Sequence, residues 1–162
     1  LPRRAVLAAA LSIATVARPI GAQSLQIKPF AQFEVRGDAI LGSPSALQLG
    51  IGANVPVDPY VRLGASVAGG TAWQDGRSGT SARADLTVRY LLDPYAETRW
   101  GLYGGAGLSV RWERDARWRP YLLLVGGVEG PTRSGWRTAF EIGMGGGARI
   151  GIVLRRARQN WR

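Results

Sequence analysis

The chain contains neither cysteine nor histidine. That removes disulfide cross-links, thiolate nucleophiles, Cys/His zinc sites and imidazole acid–base catalysis together. Lys28 is the only lysine, so the other basic residues are all arginine. After residue 22 no window holds 18 uncharged apolar residues, which excludes a spanning helix from that part of the sequence.

Residues 1–22 read as a secretory signal. Arg3 and Arg4 form a basic start, residues 5–17 a largely apolar stretch, and Gly21-Ala22 a small-residue exit before Gln23. The expected organisation is therefore a signal peptide over 1–22 and one domain over 23–162. An exported chain without a helical anchor is either soluble or a β-barrel. Setting aside Arg3, Arg4 and Arg18 leaves 18 basic residues against 11 acidic ones, a net charge of +7. The arginines are scattered through alternating segments rather than gathered on one helix or loop, so nucleic acid is not the expected partner.

Glycine is abundant, with 23 copies and neither the three-residue period of collagen nor the Ser/Pro bias of a linker. Most lie inside segments of strict alternation. From Trp100 to Trp112 every second residue (Trp100, Leu102, Gly104, Ala106, Leu108, Val110, Trp112) is apolar or glycine, and Tyr103, Ser109 and Arg111 fall between them. This is a strand with one apolar face. At roughly 3.3 Å per residue and a tilt of about 40°, its two tryptophans stand about 30 Å apart along a barrel axis, the thickness of a bilayer's hydrocarbon core.

Six further segments alternate in the same way. Residues 25–36 set Leu25, Ile27, Ala31, Phe33 and Val35 against Gln26, Lys28, Gln32, Glu34 and Arg36. Residues 47–55 set Leu47, Leu49, Ile51 and Val55 against Gln48 and Asn54. Residues 61–73 set Val61, Leu63, Val67 and Trp73 against Arg62 and Ser66. Residues 82–90 set Ala84, Leu86, Val88 and Tyr90 against Arg83, Asp85, Thr87 and Arg89. Residues 118–128 are apolar on both faces at 121–125, which leaves their orientation open. Residues 136–154 keep one phase throughout, with Trp136, Phe140, Ile142, Ile150 and Leu154 opposite Arg137, Glu141 and Arg149.

The connections at 56–59, 92–98 and 129–134 carry proline and read as periplasmic turns. Those at 37–45, 74–81 and 113–117 are polar and read as outer loops. The expected fold is an all-β, antiparallel up-and-down transmembrane barrel of the eight-stranded type, although seven strands are clear. Because 136–154 never loses its phase, the eighth strand is expected beyond residue 162. The alternative breaks that segment at Gly145-Gly146-Gly147 and takes Ala148–Arg156 as the eighth.

The export signal, the glycine-rich alternating strands and the Trp/Tyr residues at strand ends resemble the small bacterial outer-membrane β-barrel proteins of the OmpA-barrel and OmpX type. The resemblance covers residues 25–154. It implies outer-membrane location, an eight-stranded barrel and handling by the barrel-insertion machinery, and it brings no catalytic motif.

The lumen of such a barrel would hold a charge network of Lys28, Glu34, Arg62, Arg83, Asp85, Arg89, Arg111, Arg137, Glu141 and Arg149. The aromatic girdle would be Trp73, Tyr90, Trp100, Trp112, Trp118 and Trp136. An eight-stranded interior is just wide enough for side chains to fill, so an ion-paired plug is favoured over a water-filled pore. Arg77, Arg114, Arg117 and Arg119 are placed to meet the phosphates of lipopolysaccharide. Glu113 and Asp115 read as solvated rim pairs with neighbouring arginines rather than as a catalytic carboxylate pair. The G-x-G-x-x-A spelling at 143–148 lacks the helix that a dinucleotide site needs, and Arg36-Gly37-Asp38 spells an adhesion tripeptide at the first outer loop. No catalytic, cofactor-binding or metal-ligating set emerges. The sequence thus predicts a monomeric, non-catalytic outer-membrane barrel with a structural or surface-interaction role. The alternatives are a narrow small-solute channel and a soluble exported barrel that binds an apolar ligand inside.

Overall fold

The computed structural model describes residues 31–94, 98–113 and 118–157. The expected signal peptide, Gln23, Lys28, the start of the predicted first strand (25–30), Arg114, Asp115, Arg117 and the Glu113 side chain lie outside the described residues.

Eight strands form: β1 Gln32–Leu41, β2 Ser45–Pro56, β3 Val61–Gln74, β4 Arg77–Leu91, β5 Gly101–Glu113, β6 Arg119–Glu129, β7 Trp136–Met144 and β8 Ala148–Arg156. Each pairs antiparallel with its sequence neighbours, and β1 pairs with β8 to close the barrel. One end of the barrel carries the start of β1, the end of β4, the start of β5, the end of β8 and the connections 57–60 and 130–135. The other, the hairpin end, carries the end of β5, the start of β6 and the connections 42–44, 75–76 and 145–147.

The eighth strand lies within the chain, contrary to the expectation that it falls beyond residue 162. The unbroken phase of 136–154 misled because paired residues on antiparallel strands share a face. When a turn has an odd number of residues, its flanking pair has the same parity and alternation passes through unchanged. Met144 pairs with Ala148 across Gly145, Gly146 and Gly147, so even-numbered residues face outward on both β7 and β8. A two-residue turn inverts the phase, as between Gln74 and Arg77. There Asp75 and Gly76 both take positive φ, 50° and 74°, in the mirror-image turn that matches strand twist, for which Asp-Gly suits.

Several strands run further than the alternation suggested, at the expense of loops. β1 continues through Leu41, leaving only 42–44 as its turn, so Arg36-Gly37-Asp38 lies in a strand instead of an outer loop. Glu129 ends β6 rather than opening a turn, and Arg155 sits in β8 rather than in a loop. The orientation of β6 is settled by packing: Leu122 and Leu124 face outward, while Leu123 and Val125 are buried inside.

Glycine on the inner face follows from the strong curl of a small barrel. A Cβ added at Gly105 would lie 2.6 Å from the Val88 carbonyl oxygen, and one at Gly143 would lie 2.5 Å from that of Leu124. Strands approach this closely only where one of the facing residues lacks a side chain.

Candidate functional site

The faces of this barrel are inverted relative to a water-soluble domain. Outside, Leu49 is 76% exposed, Leu122 68% and Ile142 67%. Inside, Arg36 and Glu141 are each 1% exposed. Seven arginines and five carboxylates are buried among the described residues. The strand period aims them inward, since odd positions of β4, β7 and β8 and even positions of β1 and β3 share the lumen.

Glu141 on β7 is the hub. Its Oε1 accepts from Tyr103 Oη at 2.8 Å and Arg155 Nη2 at 2.6 Å, and its Oε2 accepts from Arg36 Nη2 at 2.8 Å. Arg89 Nη2 lies 3.3 Å from Oε1. Glu34 on β1 accepts from Asn54 Nδ2 at 2.6 Å, Arg155 Nε at 2.9 Å and Arg36 Nη1 at 3.3 Å. Arg89 also donates to the Asn54 side-chain oxygen. Arg155 therefore bridges Glu34 and Glu141, and its guanidinium lies 5.0 Å from the centre of the Tyr103 ring. Leu91, Tyr103, Ala139 and Val153 form an apolar cluster in the same lumen.

Toward the terminal end, Glu129 gathers Arg62 at 3.1 Å, Arg137 at 3.2 Å and Arg155 at 3.2 Å. Toward the hairpin end, Asp38 accepts from Arg36 Nε at 2.7 Å and from Arg83. Asp85 accepts from Arg149 Nη1 at 2.8 Å and Ser109 Oγ at 2.7 Å, and pairs with Arg83 Nε at 3.2 Å. Arg111 Nη1 donates to the Gly146 carbonyl at 2.6 Å, and Gln48 donates to Ser81 Oγ at 2.7 Å. Ile40, Ala46 and Ala72 cluster near this end.

Of the residues expected in the lumen, Glu34, Arg62, Arg83, Asp85, Arg89, Arg111, Glu141 and Arg149 are buried there. Arg137 stands at the terminal mouth, where Nε also donates to Thr132 Oγ1 at 2.7 Å. Sequence reasoning missed Asp38, Glu129 and Arg155 because it placed each in a loop or turn, and it left Arg36, Asn54 and Tyr103 out of the network. The signal was present: extending the inward parity by one or two steps from Arg36, Gly127 and Val153 reaches all three misplaced charges.

Each lumen carboxylate is held by at least two arginines. Pairing of this kind is what accommodates carboxylates and guanidinium groups in a buried lumen. Among the described residues no cluster of three or more Asp/Glu side chains is arranged to hold a metal ion. The G-x-G-x-x-A spelling forms the β7–β8 hairpin, and Arg36 and Asp38 are paired to each other inside the barrel rather than displayed.

The outer wall carries aromatics at both ends. Trp73 and Trp118 are exposed toward the hairpin end, with Trp112 half-buried beside them; Tyr90, Trp100 and Trp136 are exposed toward the terminal end. Tyr60 stacks on Tyr90 with centroids 5.9 Å apart, and Phe140 on Trp100 at 6.1 Å, two aromatics the sequence reading did not assign. Of the rim arginines expected to meet lipid phosphates, Arg77 and Arg119 are exposed at the hairpin end. No helix among the described residues is long and apolar enough to cross a membrane, which has no bearing on strands.

The sequence matches no family model. No curated protein matches it either. Among solved structures, the barrel is similar to Neisserial surface protein A (TM-score 0.56, 10% identity, 79% of this chain and 96% of that one). It is also similar to the N-terminal β-barrel domain of OprF from Pseudomonas aeruginosa (TM-score 0.54, 15% identity, 77% and 96%). At these identities the likeness is one of fold, an eight-stranded antiparallel barrel shared with outer-membrane proteins.

Proposed function

We propose that this chain is a non-catalytic barrel of the bacterial outer membrane, plugged by its own side chains and serving a structural role in the envelope. The inversion of its faces carries the reading: a closed wall of exposed Leu, Ile, Val and Phe surrounds a lumen of paired arginines and carboxylates. In water such a wall would aggregate, whereas in lipid it is solvated and the closed ladder leaves no unpaired edge. A soluble barrel that holds an apolar ligand requires the opposite arrangement, with apolar faces inward.

Tight hairpins narrow the role. Between Leu41 and Ser45, Gln74 and Arg77, and Met144 and Ala148 the chain turns in two or three residues, so these three described hairpins offer little projecting polypeptide for adhesion. Contacts there fall to the rim itself. Arg77 and Arg119 are suited to lipid phosphates, including those of lipopolysaccharide, through bidentate hydrogen bonds. Folding as a monomer with help from the barrel-insertion machinery belongs to the same proposal.

A narrow conduit is the second reading, favoured by the surplus of arginine over carboxylate in the lumen. Refolding the chain from Gln23 into detergent micelles and comparing boiled with unboiled gel mobility tests the barrel, and conductance across planar bilayers then separates the readings. A heat-modifiable band with no conductance supports the plug. Steady anion-selective conductance transfers the assignment to the conduit, and release of the native protein from membranes by carbonate alone refutes both.

A further inference from the structure

Three residues stand in one row across the outer wall at the terminal end. Arg133 and Trp136 bridge each other through paired backbone hydrogen bonds, Arg133 N to the Trp136 carbonyl at 2.8 Å and Trp136 N to that of Arg133 at 2.9 Å. Between them Ser134 and Gly135 form a tight turn with positive φ at both positions, 49° and 78°. Trp136 in turn stands opposite Arg156 on β8. Paired residues of antiparallel strands share a face, so the order cation, indole, cation faces outward, and all three residues are exposed.

The spacing is short. Ala157 N donates to the Gly135 carbonyl at 2.8 Å, which leaves Trp136 and Arg156 as the adjacent non-hydrogen-bonded pair, the closer of the two kinds. The two arginines therefore lie about 10 Å apart at Cα, a span that two long side chains flanking one indole can close on a single phosphate group. Neither guanidinium has an ion pair, hydrogen bond or ring contact among the described residues, whereas Arg99 at the same end is paired with Asp93. Toward the bilayer centre the same strands continue as Thr138 opposite Leu154, Phe140 opposite Ile152 and Ile142 opposite Ile150, an almost unbroken apolar track. Two unpaired cations at the end of such a track match an amphiphile with an anionic head. A soluble anion makes no use of the track.

We infer that Arg133, Trp136 and Arg156 hold the phosphodiester head of an anionic glycerophospholipid, whose acyl chains lie along Leu154, Ile152 and Phe140. The inference rests on the outer-membrane reading, and with lipopolysaccharide proposed for the hairpin end it concerns the opposite leaflet. Arginine suits the task because its planar donors bind two phosphate oxygens at once. The indole anchors at headgroup level and fixes the depth of the two cations.

The test is native mass spectrometry of the full chain refolded in neutral detergent, with phosphatidylglycerol and phosphatidylcholine of identical chains offered together. One phosphatidylglycerol should be retained in preference. An arginine near a lipid surface changes binding about fivefold, so Arg133→Gln and Arg156→Gln should each weaken retention about fivefold and together about 25-fold. Arg99→Gln removes the same charge at the same end and should leave retention as it is. Glycerophosphoglycerol, the head without its chains, should not displace the lipid at equal concentration. Equal retention of the two lipids by a chain that keeps its heat-modifiable band overturns the site and leaves the barrel reading standing. Equal losses in all three single variants reduce the effect to net charge and overturn the site, as does displacement by the chainless head. A chain that never gives that band in detergent overturns the barrel reading and the site together.

Discussion

A ladder of arginines on the outer face of β5 measures the membrane reading most directly. Trp100 and Trp112 flank this strand at its two ends, and Leu102, Ala106 and Leu108 all face outward between them. An antiparallel strand advances about 3.4 Å per residue, or about 2.5 Å along the axis at a tilt near 40°. Leu102 then lies about 5 Å inside one aromatic belt, Ala106 about 15 Å from both, and Leu108 about 10 Å from the other. Arginine at the midplane of a transmembrane barrel costs about 2–4 kcal/mol and near the interface about 0–1 kcal/mol. Ala106→Arg should therefore lose the most stability, Leu108→Arg somewhat less and Leu102→Arg almost none. Equilibrium urea unfolding in phosphatidylcholine vesicles, followed by tryptophan fluorescence, reads all three. Because the three sites share one strand and one face, propensity and strand pairing largely cancel and depth remains. A flat series, with Ala106→Arg within about 0.5 kcal/mol of the parent as for an ordinary surface substitution, would refute the bilayer assignment.

The lumen and the wall make further demands. Glu141→Ala strands Arg36, Arg89 and Arg155 without their shared carboxylate and should cost at least the 3–5 kcal/mol typical of breaking a buried pair, seen as a lower urea midpoint; a loss under about 1 kcal/mol would mean water or other groups serve equally well. Tyr103→Phe removes one donor to Glu141 and one acceptor for Arg155 Nη2 while keeping the ring, so the same assay should show a loss of about 1–3 kcal/mol. Gly143→Val drives a Cβ against the Leu124 carbonyl oxygen and should abolish the heat-modifiable band. Gly126→Ala, whose Cβ meets nothing within 4 Å, should keep that band and stay within about 0.5 kcal/mol of the parent.

Alternation made most of this barrel legible, because one face meets an apolar surrounding and the other a charged lumen, and period two records that difference residue by residue. It failed at the places where period two is blind. Parity cannot detect a three-residue turn, so β7 and β8 merged at Gly145-Gly146-Gly147. Leu123 and Val125 fill the lumen with apolar bulk, which erased the contrast that would have oriented β6. Polar residues near strand ends were read as loop, although a charge at the mouth of a filled barrel has the same parity as one at its centre. Asp38, Glu129 and Arg155 were lost for that single reason.

The charges inside also explain how a uniform exterior can specify one closed register. An apolar wall of Leu, Ile and Val in lipid has little to distinguish one pairing of β1 with β8 from another two residues away, since both keep the same faces outward. The lumen does distinguish them. Glu34 stands directly opposite Arg155 at 2.9 Å, and Asp38 stands opposite Gly151, where an added Cβ would collide with its carboxylate. A two-residue slip in one direction sets Glu34 against Val153 and Asp38 against Arg149, breaking the first pair and placing Arg36 opposite Gly151. The opposite slip carries Asp38 onto Val153. A slip of one residue is worse, because it turns Glu34, Arg36 and Asp38 onto the apolar outer face. Buried ion pairs contribute little net stability compared with apolar packing, yet their directionality penalises each wrong closure by unpaired buried charge. The network that occupies the lumen is therefore also what selects the seam at which the barrel shuts.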